Sequence, residues 1–222
     1  MRERPVLFNS EMVQAILDGN KTQTRRAVKD YCLQQVPFEE LSEDMNKTPY
    51  FRNNEWQYEL QSKVDDTDVY KLKCPYGQVG DRLWVRESAQ MVGKTWHGIL
   101  GIQKAIFEYT ADGITTEWMS IPKRLKPIKL GHKVSNGCFK ELARIFLEIT
   151  NIRVERLRSI NHEDAKSEGC KEWHSNRKWV EKLNYSGNYR NSFHDLWQSL
   201  YGNWEKNPWV WVVEFKVMRY FS

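Results

Sequence analysis

The run Lys21-Thr22-Gln23-Thr24-Arg25-Arg26 places an amine, two hydroxyls and two guanidinium groups within six residues. A threonine hydroxyl is a poor nucleophile until a base takes its proton. A lysine amine can act as such a base when burial or neighbouring cations lower its pKa, and Arg25 and Arg26 are cations of that kind. The same six residues also describe a solvated basic strand, which residue type alone favours. Farther along, Arg82-Leu83-Trp84-Val85-Arg86-Glu87 alternates as a half-buried strand does, so Trp84 and Arg86 share a face. That face suits stacking on a base with a cation beside it. Core packing of Trp84 next to an Arg86–Glu87 ion pair suits it equally. Glu168, in Ser167-Glu168-Gly169, reads by itself as a surface carboxylate at the end of a helix.

Metal chemistry has little to build on. Cys32, Cys74, Cys138 and Cys170 form no C-x-x-C pair, and the five His residues give no H-E-x-x-H. Cys170 and His174 could share a metal from one helix face, but two ligands do not make a site. No metal and no cofactor are expected. The chain has 222 residues, a mass of 26.5 kDa and a mean hydropathy of −0.73. At that size about 70% of the unfolded surface can be buried, enough for a core without staples. No stretch approaches the roughly 18 apolar residues of a membrane span. The opening Met1-Arg2-Glu3-Arg4-Pro5 carries no apolar signal region. A cytoplasmic protein with no membrane partner is the expectation. The net charge of +5 conceals a division, because residues 31–70 carry three basic and nine acidic residues. The rest is a basic body, which suits an anionic partner such as nucleic acid.

The elements that must position these residues can be read from periodicity. Pro5-Val6-Leu7-Phe8 is a short strand. Ser10 caps a helix whose face is Met12, Val13, Ile16 and Leu17, and Gly19 stops it. The acidic stretch lacks regular apolar periodicity and reads as an excursion from the fold. Cys74-Pro75-Tyr76-Gly77 is a turn that feeds the strand containing Trp84, and Ala105 to Tyr109 is a further strand. Arg144 to Leu157 is a long strand bent near Asn151. Asn161 caps a short helix, His162 to Glu168, that Gly169 ends. Lys171 to Leu183, carrying Trp173 and Trp179, reads as helical, and Phe193, Leu196, Trp197 and Leu200 have amphipathic helix spacing. After Asn207-Pro208, residues Trp209 to Val217 form a last strand able to pair with the first. Five or six strands and four helices without regular alternation favour an α+β protein, with a small, mostly antiparallel sheet or barrel and peripheral helices.

Four blocks resemble the ASCH-domain family in its phage and prophage branch. They are Arg4 to Phe8 with Ile16 to Arg26; Cys74-Pro75-Tyr76-Gly77 with Gly80 to Glu87; Ile149 to Leu157 with Glu163 to Gly169; and Asn207 to Phe215. The resemblance spans nearly the whole chain in order. It implies a single domain over 1–222 with a PUA-like β-barrel and a cleft facing RNA or a nucleoside. An acidic insertion would occupy about 31–73 and a helical insertion about 170–206. One departure is visible: branch members tend to carry a His-Met-Pro-Arg-Trp-like block where this chain has Gly137 to Arg144, so the contribution of that block to the cleft rim does not transfer.

A bacterial member of the family removes the acetyl group from N4-acetylcytidine with a lysine, a threonine and a glutamate. The resemblance carries these onto Lys21, Thr24 and Glu168. Lys21 would deprotonate Thr24, Thr24 would attack the acetyl carbonyl, and Glu168 would orient Lys21 or pass a proton to the leaving amine. Lys21 and Thr24 could equally activate a water. Arg25, Arg26, Trp84, Arg86 and Glu87 would contact the substrate, a modified nucleoside or RNA. Residues three apart on a regular strand point to opposite faces, so Lys21 and Thr24 meet only if the chain turns or bulges there. The expectation is a metal-independent amidohydrolase. The rivals are a non-catalytic RNA-binding module using the same cleft and, behind it, a ribonuclease.

Overall fold

A computed structural model describes residues 1–28, 50–52, 55–61, 69–97, 102–121, 129–134, 139–172 and 189–218. The chain is α+β, and its main sheet curls into a half-barrel. That sheet has five strands: β1 (Glu3–Leu7), β2 (Gln23–Ala27), β6 (Arg82–Arg86), β11 (Phe146–Arg156) and β12 (Trp209–Met218), in the order β1-β6-β11-β12-β2. Every pairing is antiparallel except β1 with β6. The first strand therefore pairs with β6 and not with the last. The last strand is central, flanked by β11 and β2, which is why Trp209 to Val213 reads as an unbroken apolar run. Trp209, Trp211, Val213 and Phe215 turn into the barrel core with Leu83, Val85, Leu147 and Ile149. Val210 and Val212 turn outward against a second core. The bend expected near Asn151 is a register shift between Ile149 and Asn151.

The outer core is formed by two helices, α2 (His162–Ser167) and α3 (Tyr189–Tyr201), which bury Ala165, Phe193 and Trp197 over β12. Helix α1 (Ser10–Leu17) instead buries Val13 and Ile16 in the barrel core. Its N-cap is Asn9, whose Oδ1 accepts from Met12 N at 2.8 Å, one residue earlier than the sequence reading of Ser10. Leu200, expected on the packed face of α3, is exposed.

Two further sheets exceed the five or six strands expected. β7 (Ala89–His97), β8 (Ile102–Tyr109), β9 (Met119–Ser120) and β10 (Lys133–Val134) run in the order β10-β7-β8-β9 around a separate core of Met91, Phe107 and Phe139. Within and just after the acidic stretch, β3 (Tyr50–Arg52), β4 (Glu55–Gln61) and β5 (Val69–Lys73) pair as a small antiparallel sheet. The helix expected over Lys171 to Leu183, with Trp173 and Trp179, falls almost wholly outside the described residues, as do Cys32, Cys138 and the Gly137 end of the departing block. Among the described residues no helix is long and apolar enough to cross a membrane.

Candidate active site

The site begins with two turns that lock together. Helix α1 ends through Gly19 at φ +76°, and the carbonyl of Ala15 accepts from both Asn20 N and Lys21 N. Helix α2 is capped by Asn161, whose Oδ1 accepts from Asp164 N at 2.8 Å, and it ends through Glu168 and Gly169. The two exits meet as an antiparallel bridge between Lys21 and Glu168, and Thr22 N donates to Ser167 O at 2.8 Å. Gly169 has φ +82°, a conformation L side chains rarely adopt. A Cβ there would sit 2.8 Å from Ala15 Cβ and 2.9 Å from Lys21 Cβ. Glycine at 169 is what lets the two helix exits approach.

Lys21 is 1% exposed and donates to Glu168 O at 2.7 Å and Glu168 Oε2 at 2.9 Å. The ammonium thus satisfies one of the last carbonyls of α2 and sits at the negative end of the helix. Burial holds the Lys21 pKa below its ordinary value against the pull of Glu168, and the positive charge of Arg26 adds to the lowering. Glu168 is 4% exposed, and its other oxygen accepts from Arg25 Nη1 at 3.2 Å.

Strand β2 starts at Gln23, so Lys21, bridged to Glu168, lies before it while Thr24 lies within it. Thr24 pairs with Val213 and Arg26 with Trp211, which puts both side chains on the barrel-core face. Gln23 and Arg25 face α2. Thr24 is 1% exposed, and its Oγ1 accepts from Arg26 Nη1 at 2.5 Å. Arg26 also donates to Leu7 O at 2.9 Å, tying the two edges of the half-barrel together. The Phe8 ring lies between the groups: the Arg26 guanidinium carbon is 5.2 Å and Lys21 Nζ 5.6 Å from its centroid. The long stem of Lys21 therefore crosses the end of the strand, reaching the carboxylate that Arg25 holds and the ring that Arg26 covers. Among the described residues, Lys21 Nζ and Thr24 Oγ1 share no hydrogen bond.

The expected substrate contacts divide. Arg26 stands beside Thr24. Arg25 is turned toward α2: its side chain is fully buried, and Nη2 donates to Glu155 Oε1 at 2.5 Å and Asp164 Oδ2 at 3.0 Å. Burial opposes its charge, but Glu168, Glu155 and Asp164 together outweigh burial and raise its pKa. Trp84 and Arg86 do share a half-buried face. It is the face opposite Leu83 and Val85, however, and so is separated from Thr24 by the sheet. Glu87 lies just past the end of β6 and is buried. Its partner is Arg144, which donates to it twice at 2.9 Å, to Asp112 at 2.7 Å, and lies 3.9 Å above the Tyr109 ring.

Phe8, Glu155, Asp164 and Gly169 also build the site but were not singled out by sequence. Arg153 extends the network to Asp164, Glu155 and Glu214. The alternation of Ile152 and Val154 with Arg153 and Glu155 was the available signal: it marks an outward charged face on β11 but not which element covers it. A cavity of about 750 Å³ opens between α1 and α3, with Asn9, Met12, Glu168, Gly169, Cys170 and Leu196 in its wall. Of the three expected catalytic residues, only Glu168 reaches it. Among the described residues no three His, Cys, Asp or Glu side chains converge as a metal ligand set. Comparison with family models, curated proteins and solved structures finds no match to this chain.

Proposed function

We propose that the chain is a metal-independent amidohydrolase that removes the acetyl group from N4-acetylcytidine or a related N4-acylated nucleoside, on a PUA-like barrel of the ASCH type. The observation that carries this reading is the meeting of Lys21 and Glu168. They lie 147 positions apart and are joined at 2.9 Å in a site closed to solvent. A lysine whose pKa is lowered by burial gives up its proton more readily than a free one, and Glu168 steadies the ammonium that forms.

In the proposed reaction, neutral Lys21 takes the proton of the nucleophile, which is Thr24 Oγ1 or a water beside it. The nucleophile bonds to the acetyl carbon, and the carbon–nitrogen bond breaks as Lys21 returns its proton to the exocyclic amine of cytosine. If Thr24 is the nucleophile, water then releases acetate. Either way one amide and one water give cytidine and acetate. Donation from Arg26 to Thr24 Oγ1 favours loss of the hydroxyl proton. An acetyl adduct on Thr24, seen by mass spectrometry during turnover, separates the covalent route from the water route.

The burial of Lys21, Thr24 and Glu168, each at 4% exposure or less, is the observation that favours the rival reading: a non-catalytic, cytoplasmic RNA-binding module in which the three are structural. The test is incubation with N4-acetylcytidine, following cytidine release beside Lys21→Ala, Thr24→Ala and Glu168→Ala. Release abolished in all three supports the hydrolase. No release from any of the proteins, together with salt-sensitive RNA binding weakened by Arg26→Ala, supports the module. Cleavage of unmodified RNA points to a ribonuclease.

A further inference from the structure

Lys21 and Arg25 compete for one carboxylate. Glu168 gives Oε2 to Lys21 at 2.9 Å and Oε1 to Arg25 at 3.2 Å, and all three side chains are buried. With both cations charged, the trio carries one positive charge more than it carries negative. With Lys21 neutral, the remaining Arg25–Glu168 pair is balanced. Of the two cations only the lysine can give up its proton, since guanidinium remains charged in proteins. We propose that Arg25 is a positioning residue: by holding the Glu168 charge through Nη1, it leaves Lys21 free to surrender and regain its proton.

The surroundings of each group support this division. Lys21 faces Glu168 at the end of α2, Arg26 of β2, the Phe8 ring at the end of β1, and the Cys170 thiol. Glu168 is the nearest anion and Arg26 a second cation disfavouring the ammonium. Arg25 faces Glu155 of β11, Asp164 and Glu168 of α2, and the Phe193 ring of α3, 5.8 Å away. Arg153 shares Glu155 and Asp164 and holds them in place. Arg25 is thus anchored from two elements before it reaches Glu168, and its position does not depend on Lys21. A lysine in its place could not span the three carboxylates with one fork.

The inference rests on Lys21 being the base of the proposed hydrolase, but its charge coupling can be read without turnover. The experiment is an NMR titration of the lysine ¹³Cε signals in the whole chain, with Lys21 assigned by its loss in Lys21→Met. It is run on wild type, Arg25→Gln and Arg25→Lys, beside the pH profile of kcat/KM on N4-acetylcytidine. In Arg25→Gln the Glu168 charge falls to Lys21 alone, so Lys21 titrates about 1–3 pH units higher. The alkaline-rising limb of kcat/KM moves up with it, and activity lost at pH 7 returns at higher pH. Arg25→Lys restores part of the shift. A folded Arg25→Gln in which Lys21 titrates as in wild type overturns the proposal, as does a uniform loss of activity with an unmoved limb. A shifted Lys21 titration in a protein inactive on N4-acetylcytidine keeps the coupling and rejects the hydrolase. If Arg25→Gln fails to fold with its carboxylates unpaired, Arg25→Gln/Glu155→Gln removes one of them and is read the same way.

Discussion

At the scale of single residues, the site is defined by which polar groups the fold needs and which it does not. Glu168 balances two buried cations, and removing one partner of a buried ion pair typically costs about 3–5 kcal/mol because the other charge is left behind. Glu168→Ala is therefore expected to lower the denaturation midpoint sharply. Thr24→Ala removes a hydroxyl bonded to Arg26, a partly exposed guanidinium with other acceptors, and its cost should stay near about 1 kcal/mol. Urea denaturation of the two variants checks the contrast. Cys170 offers a second test at this scale. Burial and then the charge of Glu168 push its thiol from 9.0 up to about 12, against Lys21 and Arg25. At pH 8 the folded protein should hold roughly a thousandfold less Cys170 thiolate than the unfolded chain. Alkylation by iodoacetamide, read by mass spectrometry, should be slow until denaturant is added. Equal rates in the two states would show that the thiol does not occupy this environment.

At the scale of elements, the junction of α1 with α2 is what brings Lys21 to Glu168, and Gly169 is its tightest point. Gly169→Ala adds a Cβ within 3 Å of Ala15 and Lys21 and forces a positive φ on an L residue. A loss of about 1–3 kcal/mol is expected, with turnover falling further than stability because the Lys21–Glu168 contact must open. Wild-type stability and turnover in this variant would show that the junction tolerates a Cβ at this point. Much of this level was legible in the sequence. Gly19, Asn161 and Gly169 marked the helix ends correctly, because caps and positive-φ glycines act locally. Ser10 was misread by one residue, since Asn9 and Ser10 are both good caps and spacing does not choose between them. The pairing of β1 with β6 was not legible. It depends on chain closure across 79 positions, and nothing in a five-residue strand names its partner.

At the scale of the molecule, the half-barrel separates two faces, and this separation decides which expected residues belong together. Alternation correctly placed Trp84 with Arg86, but which face of β6 met which face of β2 followed only from the order β1-β6-β11-β12-β2. The same limit hid the role of Arg25. Its charge suggested a ligand contact, whereas register with Val212 directs it toward α2 and the carboxylates. Buried titratable groups also set the response of the whole fold to pH. Cys74 is pushed by burial from 9.0 up to about 12, as is Cys170. The folded chain keeps protons on both thiols that the unfolded chain releases, so stability is lost as pH rises from 9 toward 12. Lys21 acts in the opposite sense: its folded pKa is lowered, so its contribution rises with pH until the unfolded lysine titrates near 10.5. The denaturant midpoint should fall most steeply above about pH 10.5, and the fall should be shallower in Cys74→Ala. Parallel curves for the two proteins would assign the alkaline transition to other groups.

The central claim is that Lys21, Thr24 and Glu168 act together on an N4-acyl cytosine nucleoside, and Thr24 tests it most directly because the fold needs its side chain least. The measurement is cytidine release from N4-acetylcytidine by wild type and Thr24→Ala, each checked for an unchanged melting transition. Turnover by wild type and a loss of at least about 100-fold in a folded Thr24→Ala is the predicted result. No release by wild type, or equal release by the two proteins, would contradict it.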